Sequence, residues 1–245
     1  MTPPKPNLGE VLNRLEQLYG PQKAAGPRDP YEMIVFVNCG YPATDVSCSK
    51  GFDALKREVG LKLDEILAAP KAKLAKLMRL GGIVPELRAQ RLKEIARMVQ
   101  KEFSGNLAAA LKARMQEEKK VPGSGIRGAK KLLQRFPVIG EPGAEKILLF
   151  ANVVPVAAVP SAALGVPMRI YFRGEGKNYA TDYRRAREAL SADLPETFPA
   201  RQRAYLLLKK HGQEICKRTK PKCETCPVTG QCAYIQANAG DSSGE

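Results

Sequence analysis

Four of the chain's six cysteines fall within one short stretch, Cys216, Cys223, Cys226 and Cys232, with six, two and five residues between them. Thiolates this close in sequence can wrap one compact centre, either a tetrahedral zinc ion or an iron–sulfur cluster. Structural zinc sites usually pair two short Cys-x2-Cys knuckles. Here there is one such knuckle with a single cysteine on a longer arm to either side, which suits a loop wound around a bulkier centre. Disulfides are a third reading. The chain opens without a recognisable signal peptide and is otherwise not cysteine-dense, so they are the least expected.

The spacing C-x6-C-x2-C-x5-C resembles the [4Fe-4S] loop of endonuclease III-like helix-hairpin-helix (HhH-GPD) DNA glycosylases. His211-Gly212 before Cys216, Lys220-Pro221-Lys222-Cys223, and the closing Cys232-Ala233-Tyr234 extend the likeness. The resemblance implies that Cys216, Cys223, Cys226 and Cys232 hold a [4Fe-4S] cluster. It also implies double-stranded DNA, damaged or distorted, as the partner of a monomer in the cytoplasm, associated with the nucleoid.

A second likeness runs from Asp29 to Leu55, around Ala43-Thr44-Asp45-Val46-Ser47. The family places a glutamine just before that stretch, to fill the gap left by an extruded base. Pro42 stands there and carries no side-chain amide. Asp45 reads as a helix cap.

A third likeness is Phe136-Pro137-Val138-Ile139-Gly140-Glu141-Pro142-Gly143-Ala144, against the family's hairpin pattern L-P-G-V-G-x-x-T-A. A glycine hairpin at a helix start bares backbone N–H groups that, with the helix dipole, can hold a DNA phosphate without reading sequence. Gly140 and Gly143 are the expected donors. Val138 replaces the first glycine, and a β-branched residue resists positive φ, so an altered hairpin is expected.

The resemblance also places the chemistry. Two residues after the second hairpin glycine, bifunctional relatives carry a lysine whose amine attacks the sugar. Eighteen residues further on, relatives carry an aspartate that stabilises the cationic sugar. These positions are Pro142 and Pro160. Proline offers no nucleophile, charge or proton, so the standard glycosylase and lyase chemistry is not expected. The substitutes within reach are Lys146, one turn beyond Pro142, and Glu145, although Glu141 and Glu145 both read as solvated side chains near a helix start.

The elements that must position these residues are helical. Leu8, Val11, Leu12, Leu15 and Leu18 recur at helical spacing, as do Leu87, Leu92, Ile95, Ala96 and Val99. Asp29-Pro30 reads as a cap and first helical residue. Ser124 reads as a helix cap, Thr181 as a helix start, and Pro167 as an interruption of a helix over 161–172. No stretch alternates at period two. The expected fold is all-α and two-lobed: an N-terminal helix over 1–29, a six-helix barrel with the hairpin over 30–154, an iron–sulfur cluster domain over 155–236 that the N-terminal helix joins, and a disordered tail over 237–245.

Composition agrees with a nucleic-acid partner. Forty Lys and Arg against 25 Asp and Glu give a net charge of +15 in 245 residues, and neutralising phosphates releases counterions. Lys130 and Lys131, within a basic strip that includes Lys119, Lys120, Arg127 and Arg135, read as phosphate contacts. So do Arg169 and the cluster-arm residues Lys217, Arg218, Lys220 and Lys222. The single histidine, His211, rules out mechanisms needing two imidazoles and reads as structural. No apolar run reaches the length of a membrane span.

Overall fold

In a computed structural model the chain is described over residues 5–116 and 123–241, and no strand occurs among them. Two compact units form: one combines residues 1–24 with 154–245, the other spans 25–153.

The discontinuous unit closes because α1 (Leu8–Tyr19) gives Leu8, Val11, Leu12 and Leu15 to a core shared with α10 (Gly165–Phe172), α11 (Tyr179–Asp193) and α12 (Phe198–Glu214). Asn7 caps α1, accepting from the Glu10 amide. Polar contacts then tie α1 to the cysteine arm: the Asn7 amide donates to Gln231 Oε1 at 2.9 Å, and Gln231 Nε2 donates to Glu10 at 2.8 Å. Leu18, beyond this stripe, is exposed.

The second unit holds α2 (Pro30–Asn38), α3 (Asp45–Glu58), α4 (Leu63–Ala68), α5 (Lys71–Met78), α6 (Pro85–Glu102), α7 (Leu107–Gln116), α8 (Ser124–Leu133) and α9 (Glu141–Phe150). Asp29 caps α2, with Pro30 following it where a missing N–H costs nothing. The break between α4 and α5 falls at Ala69-Pro70. The core stripe of α6 is Ala89, Leu92, Ile95, Ala96 and Val99, together with Arg88. Leu87 lies across the helix from it, exposed rather than inward.

Several local expectations are corrected. Thr44, not Asp45, caps α3: Thr44 is extended, and its hydroxyl oxygen accepts from the Ser47 amide while Asp45 is the first helical residue. Asn178 caps α11 ahead of Thr181. Gly123, at φ +76, precedes α8, so Ser124 is already helical. Pro167 does not interrupt a helix, because it sits in the first turn of α10, where its missing N–H is not needed. Residues 237–241 are not a tail. They continue α13 (Ala233–Asp241), which starts from Cys232, buries Ala233 and packs on α10. Residues 242–245, like Lys119 and Lys120, lie outside the described residues.

Candidate nucleic-acid interface and cysteine centre

The hairpin joins α8 to α9. Phe136 and Ile139 are buried, and the Phe136 ring meets Phe103 with centroids 6.1 Å apart. The Ile139 amide donates to the Phe136 carbonyl, closing the turn. Asn38 Nδ2, buried on α2, donates to the Pro137 carbonyl at 3.1 Å and to its own helix at Ile34. Val138 adopts φ +59. Val138 is thus left-handed despite its β-branched side chain, the conformation that a glycine adopts at no steric cost. Anchors on both sides of Val138 hold it in a conformation that costs a β-branched residue about 1–2 kcal/mol.

Gly140 precedes α9 in an extended conformation with no side-chain cap. It is exposed, Gly143 is half-buried, and Pro142 occupies the second helical position. Backbone donors at this helix end suit an anion. Pro142 presents only its ring there. Pro160, in the other unit, is buried where a 3-10 turn begins at Ser161.

Glu145 is not solvated. Its side chain is 2% exposed and lies 2.8 Å from Lys130 Nζ. Lys130 also meets Glu141 at 2.5 Å. Sequence reasoning missed this, because the two partners of Glu145 and Lys130 lie on successive helices with the hairpin between them. Lys131 and Arg127 are exposed, and Arg135 pairs with Glu102 at 2.5 Å. Lys146 is half-buried.

Elsewhere in the same unit, a loop over 79–84 lies against the turn at Cys39-Gly40. A side chain at Gly81 would collide with the Cys39 carbonyl. The loop exposes Leu80, Ile83 and Val84, with Ile83 at 72%, and Val84 is left-handed. Arg88 holds it from beneath: its side chain is 1% exposed, and Nε donates to the Ile83 carbonyl at 2.7 Å. Its Nη1 and Nη2 are buried with no hydrogen-bond partner among the described residues. Burial lowers its pKa from the ordinary arginine value. An arginine three residues after a helix-start proline reads in sequence as a surface charge, so nothing singled it out.

The four cysteines of the C-terminal arm are unbridged and line one cavity with Ile170, Ile215, Val228 and Ile235. No three of the described side chains close on a single ion. Burial raises the Cys216 and Cys232 thiols and pushes Cys226 up to about 11. A group binding here must displace protons, which a soft, thiolate-seeking metal centre drives. Four sulfur donors around an apolar cavity fit an iron–sulfur cluster in kind and number.

Two side chains brace this arm. Arg169 does not face a phosphate. It is buried on α10, with Nη1 donating to the carbonyls of Cys216 and Lys217 and to Cys216 Sγ, and Nη2 to the Arg218 carbonyl at 2.7 Å. Tyr234 stacks on its guanidinium at 5.6 Å. His211 is buried between Tyr19 Oη, 3.0 Å from Nδ1, and Cys226 Sγ, 3.6 Å from Nε2, and burial pushes its pKa down to about 4. Lys217, Arg218, Lys220 and Lys222 are exposed along the first arm, with Arg218 3.5 Å from Glu175.

No family model matches the chain. It is 27% identical over 211 residues to a thymine/uracil-DNA glycosylase of Methanothermobacter thermautotrophicus, covering 85% of this chain and 84% of that protein. Among solved structures it is similar to a trapped endonuclease III–DNA covalent intermediate in an estranged-adenine complex, with TM-score 0.70, 17% identity, and 95% and 97% of the two chains covered. It is also similar to a thermostable thymine-DNA glycosylase, with TM-score 0.70, 23% identity, and 94% and 95% covered. The fold is that of the helix-hairpin-helix DNA glycosylases.

Proposed function

We propose that this chain binds damaged or distorted duplex DNA, as a recognition protein of base-excision-repair type, without the standard glycosylase and lyase chemistry. One observation carries the reading: a turn with Val138 left-handed leads into a helix with Pro142 in its first turn, where the resemblance would place the nucleophile. In this reading the turn still offers backbone donors to a phosphate, while the proline ring offers no nucleophile. The buried Pro160 removes the carboxylate in the same way. The net charge of +15 supplies the phosphate attraction.

Gly140, Gly143, Lys131 and the exposed cluster-arm cations Lys217, Arg218, Lys220 and Lys222 make the backbone contacts in this reading. The exposed Ile83 and Val84 supply an apolar wedge against a disturbed base step, in place of the amide missing at Pro42. Cys216, Cys223, Cys226 and Cys232 hold a [4Fe-4S] cluster, which when bound cross-links the arm and fixes its cations. Arg169 and His211 orient the thiolates.

A second reading, an active glycosylase, is favoured by the name of the Methanothermobacter relative. It would need Lys146 or Glu145 as a substitute. Glu145 is buried against Lys130 and would have to leave it, and a lysine one turn away starts about 5.4 Å from the required place. Borohydride trapping on abasic-site DNA, with single-turnover base release on a lesion panel, separates the two readings. An adduct or released base supports the second.

A further inference from the structure

We propose that Lys130 is a positioning residue of the hairpin and not one of its phosphate contacts: its ammonium bridges the buried Glu145 and the half-buried Glu141, and so sets the end of α9 that receives a phosphate. The inference rests on the DNA-binding reading above.

Adjacent lysines usually read as one basic patch. Here the helix separates them, because neighbours on an α-helix point about 100° apart. Lys131 faces solvent, whereas Lys130 is only 15% exposed and turns towards α9. Glu141 and Glu145 stand four residues apart on one face of α9, where two like charges repel. Lys130 Nζ lies between them, 2.5 Å from Glu141 Oε1 and 2.8 Å from Glu145 Oε1. The Glu145 side chain is 2% exposed and the Glu141 side chain 44%.

The consequences are geometric. Turning Lys130 out to a phosphate would break its ion pair with a carboxylate whose side chain is only 2% exposed, where breaking a pair costs more than at the surface. Left in place, Lys130 ties the last turn of α8 to the first two turns of α9. The tie spans the hairpin, and the Asn38–Pro137 bond fixes a second point within it, beside Val138. The ammonium also offsets Glu141, whose charge at the helix start would otherwise oppose an incoming phosphate.

The test is the salt dependence of binding by the full chain, cluster intact, to a labelled duplex with an abasic-site analogue. Variants are Lys130→Met, Lys131→Met and Lys130→Met/Glu145→Gln, each at a temperature where circular dichroism shows it fully folded. Lys131→Met is expected to lower the slope of log Kd against log salt by about 0.9. Lys130→Met is expected to weaken binding about tenfold with the slope unchanged. The double variant is expected to recover most of that affinity, and it carries the test alone if Lys130→Met does not fold. A slope loss of about 0.9 on Lys130→Met, undiminished in the double variant, overturns the proposal in favour of a phosphate contact. So does a folded Lys130→Met with wild-type affinity. A wild-type chain that does not bind the duplex overturns the DNA-binding reading itself, and is seen before any variant is made.

Discussion

Arg169 Nη1 lies 3.3 Å from both the carbonyl oxygen and the Sγ of Cys216, a residue 47 positions further along the chain. One buried guanidinium thereby fixes the course of the arm at three successive carbonyls and touches the first thiol. Arg169→Leu is expected to leave the helices formed while loosening the arm. The check is visible absorption near the iron–sulfur charge-transfer bands during dialysis against a chelator. Faster bleaching than wild type is expected, and equal bleaching would reduce Arg169 to a packing role.

If the arm holds the proposed cluster, substituting Cys226 by Ser should abolish that absorption and lower the melting temperature of the unit that carries the cysteine arm. The four cysteines line one cavity that the core of α10 and α12 reaches. A variant retaining full absorption and iron content would show that the site is not a four-cysteine cluster.

Val138 holds φ +59, a conformation natural to glycine. Val138→Gly should therefore stabilise the hairpin unit by about 0.5–1 kcal/mol, the relief of strain exceeding the entropy glycine adds to the unfolded chain. Denaturant unfolding measures it directly. A loss of stability would mean that packing by the valine side chain outweighs its backbone cost.

Ile83 is 72% exposed on a loop pinned by Arg88 and by the close approach of Gly81 to Cys39. Ile83→Ser should leave binding to intact duplex unchanged and weaken binding to a duplex with a mismatch or an abasic site by about 1 kcal/mol or more. Fluorescence anisotropy on the two duplexes gives the comparison. Equal loss on both would place Ile83 outside the recognition step.

Much of this was legible in the sequence where a signal is local. The cysteine spacing marked the arm, Asp29-Pro30 marked a helix start, and Pro137 with Gly140 marked the hairpin. What sequence missed was decided by partners far along the chain or across a turn. Glu145 and Arg169 read as surface charges because charged residues usually are. Each is buried because a specific group on another element meets it: the Lys130 ammonium in one case, the carbonyls of 216–218 in the other. Val138 read as a residue that resists positive φ, yet it adopts φ +59, because the rule against positive φ is a cost and not a prohibition. Packing at Phe136 and Ile139 and the bond from Asn38 meet that cost. Arg88 gave no sequence signal, and its burial follows from the backbone that turns over it.

The central claim is binding without the standard chemistry. Its most direct test is one experiment on the cluster-loaded chain, in excess over labelled duplexes carrying oxidised pyrimidines, uracil or thymine mismatches, alkylated bases or an abasic site, scoring binding, base release and borohydride-trapped adduct together. The account predicts salt-dependent binding to at least one disturbed duplex with Kd below about 1 µM, and neither base release nor adduct. Base release or a trapped adduct would contradict it, and its loss in Lys146→Ala or Glu145→Gln would name the residue that took over the reaction.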